Sequence, residues 1–126
     1  MHLLSRRIHG ILDYAVAFIL IIAPRLLGLD PQSDEARVPF FLGWTAIVYS
    51  LFTRYEFGLV KLLPFRLHLG LDVVHGAVLA ASPWLFHFAD RVWIPHLMLG
   101  VFELVAVALT RVSTSEPITT AVEARR

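Results

Sequence analysis

Residues 65–88, FRLHLGLDVVHGAVLAASPWLFHF, contain the pattern on which the rest of the chain is built. The stretch is apolar enough to lie in a bilayer, yet it carries His68, Asp72 and His75 at spacings of four and three residues. These spacings place the three side chains on one face of a helix. Residues 6–29, RRIHGILDYAVAFILIIAPRLLGL, repeat the pattern with His9 and Asp13. We therefore expect one kind of helix to occur twice, each time with a polar face inside an apolar segment.

The composition is typical of a membrane protein. Hydrophobic residues make up 57% of the 126 residues and charged residues 17%, with a mean hydropathy of +0.69, whereas soluble domains are about half apolar and a quarter charged. The absence of cysteine excludes disulfides, thiolate zinc sites and iron–sulfur clusters, so any metal would be bound by His, Asp or Glu. The basic residues flank apolar runs and lack a soluble, aromatic-rich surface, so we expect no nucleic-acid partner.

Four apolar runs divide the chain, at residues 8–24, 38–53, 67–88 and 92–110. Each can cross a bilayer core, the second when its flanking arginines reach the two interfaces. We predict an all-α, integral membrane four-helix bundle made of two parallel helical-hairpin repeats, residues 5–55 and 64–111. A single transmembrane domain then covers residues 1–111, and the polar residues 112–126 are predicted to form a disordered cytoplasmic tail.

The two halves align well enough to predict their relative orientation. Arg7 aligns with Arg66, Pro24 with Pro83, and later in each half Gly43 aligns with Gly100. Because each half contains two spans, both halves have the same orientation, with a pseudo-two-fold axis along the membrane normal. Most basic residues then lie on one side, namely Arg6, Arg7, Arg54, Lys61, Arg66, Arg111, Arg125 and Arg126. The positive-inside rule places both termini in the cytoplasm and both hairpin loops outside.

The ionisable residues within the runs are predicted to share one layer in the cytoplasmic half of the bundle. Asp13 and Asp72 each lie about 9 Å along the helix from their flanking arginine, at 1.5 Å per residue. Such residues are candidates for function because each costs about 2.5 to 3.5 kcal/mol at mid-span. The candidate site residues are His9, Asp13, His68, Asp72, His75 and Glu103.

Three uses of this layer stay open at the level of sequence. The layer could be a structural lock, in which acids and imidazoles pair within and between helices. It could bind a divalent metal such as zinc, manganese or iron, or a haem between His9 and His68, although Asp13 and Asp72 would then crowd the macrocycle. It could also conduct protons or ions between the repeats. No activated nucleophile is evident, so we do not predict an enzyme.

Other features are interpreted as packing or anchoring. Small residues at Gly76 and Ala80, and at Ala77 and Ala81, allow a helix to approach closely and make a homo-oligomer a candidate, with membrane lipid as the other partner. Tryptophans near the outer ends of the spans are expected to form an interfacial belt, with two solvated or interfacial histidines beside them. These residues are Trp44, Trp84, Trp93, His87 and His96.

The segment LHLGLDVVHGAVLAASPWLFHFADRVWIPHLMLG, together with its degenerate first copy, resembles the SPW repeat family of small bacterial membrane proteins. Its unit is a helical hairpin with Ser-Pro-Trp at the end of the first helix, here Ser82, Pro83 and Trp84; the first copy has Ala-Pro-Arg instead. The resemblance implies a multi-pass protein of the bacterial inner membrane and no settled activity. Physically, Pro83 would stop or kink its helix, and Ser82 could satisfy a freed carbonyl.

Overall fold

The computed structural model describes residues 3–110, and this part of the chain folds into four α-helices. The helices are α1 (Arg6–Leu26), α2 (Asp34–Leu51), α3 (Phe65–Leu85) and α4 (Ile94–Leu109). α1 packs mainly on α2, and α3 packs mainly on α4, while α2 and α3 join these two helix pairs. The predicted all-α class is confirmed. The predicted tail, residues 112–126, lies outside the described residues.

Glycine allows the two helices of each pair to approach closely. A Cβ on Gly43 would lie 2.7 Å from the carbonyl oxygen of Ala17, and a Cβ on Gly100 would lie 2.6 Å from that of Gly76 and 2.4 Å from the amide nitrogen of Ala80. All three distances are shorter than a Cβ atom tolerates. The small residues at Gly76 and Ala80 are therefore used, at least in part, for packing α3 on α4 within the chain.

The ends of the two helix pairs are tied by matching backbone contacts. Leu4 forms an isolated bridge with Thr110, and its amide donates to the carbonyl of Leu109. Leu63 forms the corresponding bridge with Thr53. The first bridge places the residues before α1 beside the end of α4, and the second places the residues before α3 beside the end of α2. Both threonines are thereby brought towards the polar residues of α1 and α3.

Proline lies inside the last turns of α1 and α3 without ending either helix. Pro83 cannot donate the backbone hydrogen bond that the carbonyl of Leu79 would otherwise accept, and the hydroxyl of Ser82 donates to that carbonyl at 2.7 Å. The expected role of Ser82 is thus observed. The helix continues to Leu85, so Pro83 does not stop it.

The burial pattern is the reverse of that of a water-soluble bundle. The apolar core is small, with Val16, Leu20 and Leu79 at its centre, and it contains many polar side chains, including His9, His68 and Asp72. Large apolar side chains point outward along every helix, for example Phe18, Phe41, Val74 and Met98. Among the described helices, one, α1, is both long and apolar enough to qualify by itself as a candidate membrane span.

Candidate metal centre

Two histidines and two aspartates meet in a closed ring between α1 and α3. The Nε2 atom of His9 lies 3.1 Å from Asp13 Oδ1 and 2.8 Å from Asp72 Oδ2. The Nε2 atom of His68 lies 2.9 Å from Asp13 Oδ2 and 3.1 Å from Asp72 Oδ2. One ligand atom from each of the four residues lies within 4.8 Å of all the others. Each acid therefore contacts the imidazole four residues away in its own helix and also the imidazole of the other helix, the two kinds of pairing that the sequence suggested.

Two threonines determine which nitrogen of each histidine faces the ring. The hydroxyl of Thr53 donates to the carbonyl of Tyr49 at 2.6 Å, and Thr110 donates likewise to Ala106 at 2.6 Å. With their single protons used in this way, the two hydroxyls can only accept from the imidazoles. They lie 2.8 Å from Nδ1 of His68 and 2.7 Å from Nδ1 of His9. Both histidines therefore carry a proton on Nδ1 and turn Nε2 towards the carboxylates.

The ring needs two further protons to form its hydrogen bonds. Two of the four contacts are hydrogen bonds, from His9 Nε2 to Asp72 Oδ2 and from His68 Nε2 to Asp13 Oδ2. A bare Nε2 and a bare carboxylate both accept, so each of these two hydrogen bonds requires a proton on one atom or the other. Two such protons make the cluster of two imidazoles and two carboxylates electrically neutral. Neutrality matters because both imidazoles are at least 98% buried, where an uncompensated charge would cost several kcal/mol.

Tyrosines orient the two carboxylates from outside the ring. Tyr49 on α2 donates to Asp72 Oδ1 at 2.6 Å, and Tyr55, from the connection between α2 and α3, donates to Asp13 Oδ2 at 3.2 Å. Every member of the ring thus has an outer hydrogen-bond partner, which is the arrangement that fixes ligand orientation in metal sites.

His75 and Glu103 form a separate pair next to the ring. Nε2 of His75 is 2.7 Å from the carbonyl oxygen of Leu42, which can only accept, so this nitrogen is protonated. Nδ1 of His75 lies 2.6 Å from Glu103 Oε2 and shares one proton with it. Both ring nitrogens of His75 are therefore occupied. The six predicted site residues are buried or largely buried, but the structure brings only four of them into one set of ligands.

A cavity of about 20 Å³ lies beside the ring. Its lining includes Asp13, Asp72, Tyr49 and Glu103. A space of this size accommodates about one water molecule, and these side chains supply the polar partners that a buried water requires. The cavity is thus bordered both by the aspartates of the ring and by Glu103 of the neighbouring pair.

A second polar cluster joins the two helix pairs at the opposite end of the bundle. Glu35, at the start of α2, accepts two hydrogen bonds from Arg91, at 2.9 Å and 3.0 Å, and its backbone carbonyl accepts from His96 Nε2 at 2.8 Å. The Arg91 guanidinium lowers the pKa of the Glu35 carboxyl below its usual value. His96 is 3% exposed, so it is not the solvated histidine that was one of the two expectations for it. Its position on one face of α4 with Gly100 and Glu103 indicates an inward orientation.

The residues that support the ring, Thr53, Thr110, Tyr49 and Tyr55, are not among the candidate site residues predicted from the sequence. A usable signal existed, because Thr53 follows Tyr49 by one helical turn and recurs as Thr110 at the end of the other repeat.

The fold and the site together define a class of protein, a helical bundle with a buried His/Asp ring between two helix pairs. The chain belongs to the SPW repeat domain family, whose model matches residues 7–110. This match confirms the family resemblance expected from residues 67–100 and their degenerate first copy. Neither the curated proteins nor the solved structures searched contain a match to this chain.

Proposed function

We propose that this chain is an integral membrane protein whose two repeats bind one divalent metal ion through His9, Asp13, His68 and Asp72. The observation that carries the proposal is the convergence of two Nε2 atoms and two carboxylates, all within 4.8 Å, with both Nδ1 protons held by threonine hydroxyls. This tautomer offers the lone pair of Nε2 to the ring, and imidazole and carboxylate are ligands that zinc, manganese and iron accept.

Charge balance supports a divalent ion. A metal with two positive charges replaces the two ring protons and leaves the cluster neutral, so binding introduces no net charge into the bundle. Neighbouring ligand atoms in the ring are 2.8 to 3.1 Å apart. Ligands about 2.0 to 2.1 Å from a tetrahedral zinc ion are separated by roughly 3.3 Å. Metal binding would therefore lengthen these four contacts by a few tenths of an ångström and draw the wider pairs of ligand atoms, which now lie within 4.8 Å, closer together.

The same geometry does not fit haem. A haem held between His9 and His68 would place its macrocycle perpendicular to the line joining the two Nε2 atoms. The carboxylates of Asp13 and Asp72 occupy that plane, each within 3.1 Å of both Nε2 atoms. We therefore assign no haem to the site.

The membrane location is supported by the distribution of apolar and ionisable side chains. Ionisable groups within the apolar runs, such as His9, His68 and His75, point inward, while Phe18, Phe41 and Met98 point outward with exposures of 60% or more. In water such a surface would be an extensive apolar patch, whereas in lipid it is the favoured arrangement. We assign four spans, two parallel hairpin repeats and cytoplasmic termini in a bacterial inner membrane.

A structural lock is the second candidate function, and one observation favours it. The ring is complete without a metal, because each Nε2 has carboxylate partners and each Nδ1 has a threonine. A transmembrane conduit is less well supported. An apolar cluster is formed by Val16, Leu20 and Leu79. The chain of hydrogen bonds through His75 stops at the backbone carbonyl of Leu42. The described residues therefore show no polar path from the ring to His96.

Metal content distinguishes the two candidates. We expect elemental analysis of detergent-purified protein, after incubation with Zn²⁺, Mn²⁺ or Fe²⁺ and removal of free ion, to give about one metal per chain. Asp13→Asn combined with Asp72→Asn should lose it. Glu103→Gln is the matched control, since Glu103 is another largely buried carboxylate that lies outside the ring. A folded wild-type chain that retains none of these metals would contradict the metal site and leave the structural lock.

The absence of cysteine makes the proposed topology testable by labelling. Gln32→Cys lies in the α1–α2 connection and Lys61→Cys in the α2–α3 connection, and both positions are exposed. With the termini cytoplasmic, a membrane-impermeant maleimide should label Cys at position 32 in spheroplasts and Cys at position 61 only after lysis. Labelling of both positions in intact spheroplasts, or recovery of the chain in the soluble fraction, would contradict the assignment.

A further inference from the structure

An open groove of about 760 Å³ lies against the ends of α1 and α2. Ile21, Ile22 and Phe40 supply apolar walls, and the side chains of Arg25 and Arg37 also line the groove. Its volume is within the range of sites that hold small organic ligands. The groove lies at the end of the bundle opposite the His/Asp ring, on the side where the proposed topology places the outer leaflet.

The groove exists where the first repeat departs from the second. Aligning the two halves places Arg25 opposite Trp84, and Ala36 opposite Trp93. In the second helix pair these two tryptophans pack on each other, with ring centroids 6.1 Å apart. Replacement of both large rings by Arg25 and the buried Ala36 removes that packing from the first pair. The first repeat therefore has a recess with a cationic lining where the second has an aromatic contact.

The two arginines leave positive charge available in this recess. Within residues 3–110, neither Arg25 nor Arg37 forms a salt bridge. Arg37 donates to the neutral side-chain amide of Gln32, and the nearby carboxylate of Asp30 accepts from the backbone amide of Gln32. A guanidinium pair beside an apolar wall is complementary to a ligand that has an anionic head and a hydrocarbon chain.

We propose that this groove binds one anionic phospholipid. Arg25 and Arg37 contact its phosphate, and an acyl chain lies along Ile21, Ile22 and Phe40. The proposal rests on the proposed membrane location, because a phospholipid reaches this groove only from a bilayer. It is independent of the metal site.

Native mass spectrometry of detergent-purified protein tests the groove. After incubation with equal amounts of phosphatidylglycerol and phosphatidylcholine, the wild type should retain one phosphatidylglycerol in preference to phosphatidylcholine. Each arginine near a membrane surface contributes about fivefold, so Arg25→Gln with Arg37→Gln should weaken that retention by about ten- to thirtyfold. Ile22→Trp should also reduce it, because the larger ring fills the groove and leaves both arginines in place.

Arg7→Gln with Arg66→Gln is the matched control, since it removes two exposed arginines from the opposite end of the bundle. This control should retain the lipid as the wild type does. Equal losses in the two double variants would show a general effect of surface charge and overturn the groove. Equal retention of both lipids by the wild type would also overturn it. A chain that fails the topology test overturns membrane location and groove together, whereas an inserted chain without lipid preference overturns the groove alone.

Discussion

Thr53 and Thr110 show how a neutral residue can define the chemistry of a charged one. Each threonine follows the end of a helix, and its hydroxyl donates to a carbonyl in the last turn of that helix and therefore accepts from an imidazole on another helix. The histidines consequently offer Nε2, and not Nδ1, to the aspartates. In metal sites such outer partners commonly affect affinity by about 10- to 100-fold.

Removing these acceptors should weaken the proposed metal binding without removing a ligand. We expect Thr53→Val with Thr110→Val to lower the affinity for the divalent metal by about 10- to 100-fold, because each Nδ1–H loses its buried partner. Competition with a metal-binding dye measures the effect. Thr45→Val is the control, since Thr45 also donates to a backbone carbonyl, that of Leu42, but does not contact the ring. Unchanged affinity in the double variant would contradict the assigned role.

At the scale of the helices, glycine positions determine how closely the two members of each pair approach. Gly43 and Gly100 occupy equivalent places in the two halves and face the carbonyls of Ala17 and Gly76. This close approach brings α4 to α3 and sets the separation at which Glu103 reaches His75. The geometry of the polar layer therefore depends on the helix–helix spacing.

Gly100→Ala should destabilise the protein by about 1 to 3 kcal/mol, because its Cβ would overlap backbone atoms of Gly76 and Ala80 that cannot move independently. The change is measured by unfolding of the purified protein in detergent with increasing denaturant. Gly70→Ala is the matched control, since a Cβ at this helical position meets no atom within 4 Å. A neutral effect at Gly100, or an equal loss at Gly70, would contradict the inferred close packing.

The turn that follows α3 contains a strained residue whose strain glycine would relieve. His87 has φ of 58°, in the left-handed region, and the equivalent residue after α1 is Gly28, with φ of 68°. Since a left-handed conformation costs a residue with a Cβ about 1 to 2 kcal/mol, His87→Gly should raise stability by up to about 1 kcal/mol after the entropy of glycine is subtracted. A thermal melt measures the gain. Destabilisation would show that the exposed His87 side chain makes a contact worth more than this strain.

Periodicity predicted the helices and the polar faces but not the partners across the bundle. The four-residue spacing of His9 and Asp13 and its recurrence at His68 and Asp72 were enough to predict a shared layer. The cross-helix contacts of Thr53, Thr110 and Tyr49 depend on the register between helices, which spacing within one helix does not encode. The expectation for His96 rests on its position near the outer end of a span, which does not specify the face of α4 on which the residue lies.

At the scale of the whole molecule, the two helix pairs are joined by polar clusters at both ends of the bundle. The His/Asp ring connects α1 to α3, and Glu35 connects α2 to Arg91 and to His96 on α4. Between them lies the small apolar cluster of Val16, Leu20 and Leu79. In the proposed membrane location, where lipid offers little hydrophobic drive for helix association, these polar contacts carry much of the specificity of assembly.

The Glu35–Arg91 contact should make part of the stability dependent on pH. The Arg91 guanidinium holds the pKa of Glu35 below its value in the unfolded chain, so the stabilisation is fully present above that unfolded value, about 4.3, and is lost as pH falls through the folded one. Glu35→Gln should therefore lower Tm at pH 7 by a few degrees. The Tm difference between wild type and variant should shrink as pH falls below about 4.

Glu56→Gln is the matched control for this contact, because Glu56 also accepts two hydrogen bonds from one arginine, Arg6. Its side chain is 42% exposed, compared with 9% for Glu35, and exposed pairs contribute little since water and salt screen them. We expect Glu56→Gln to change Tm less than Glu35→Gln at pH 7 in 0.15 M salt. Equal effects of the two substitutions would show that burial of Glu35 against the second helix pair adds nothing, and the connection at this end would then be no stronger than a surface ion pair.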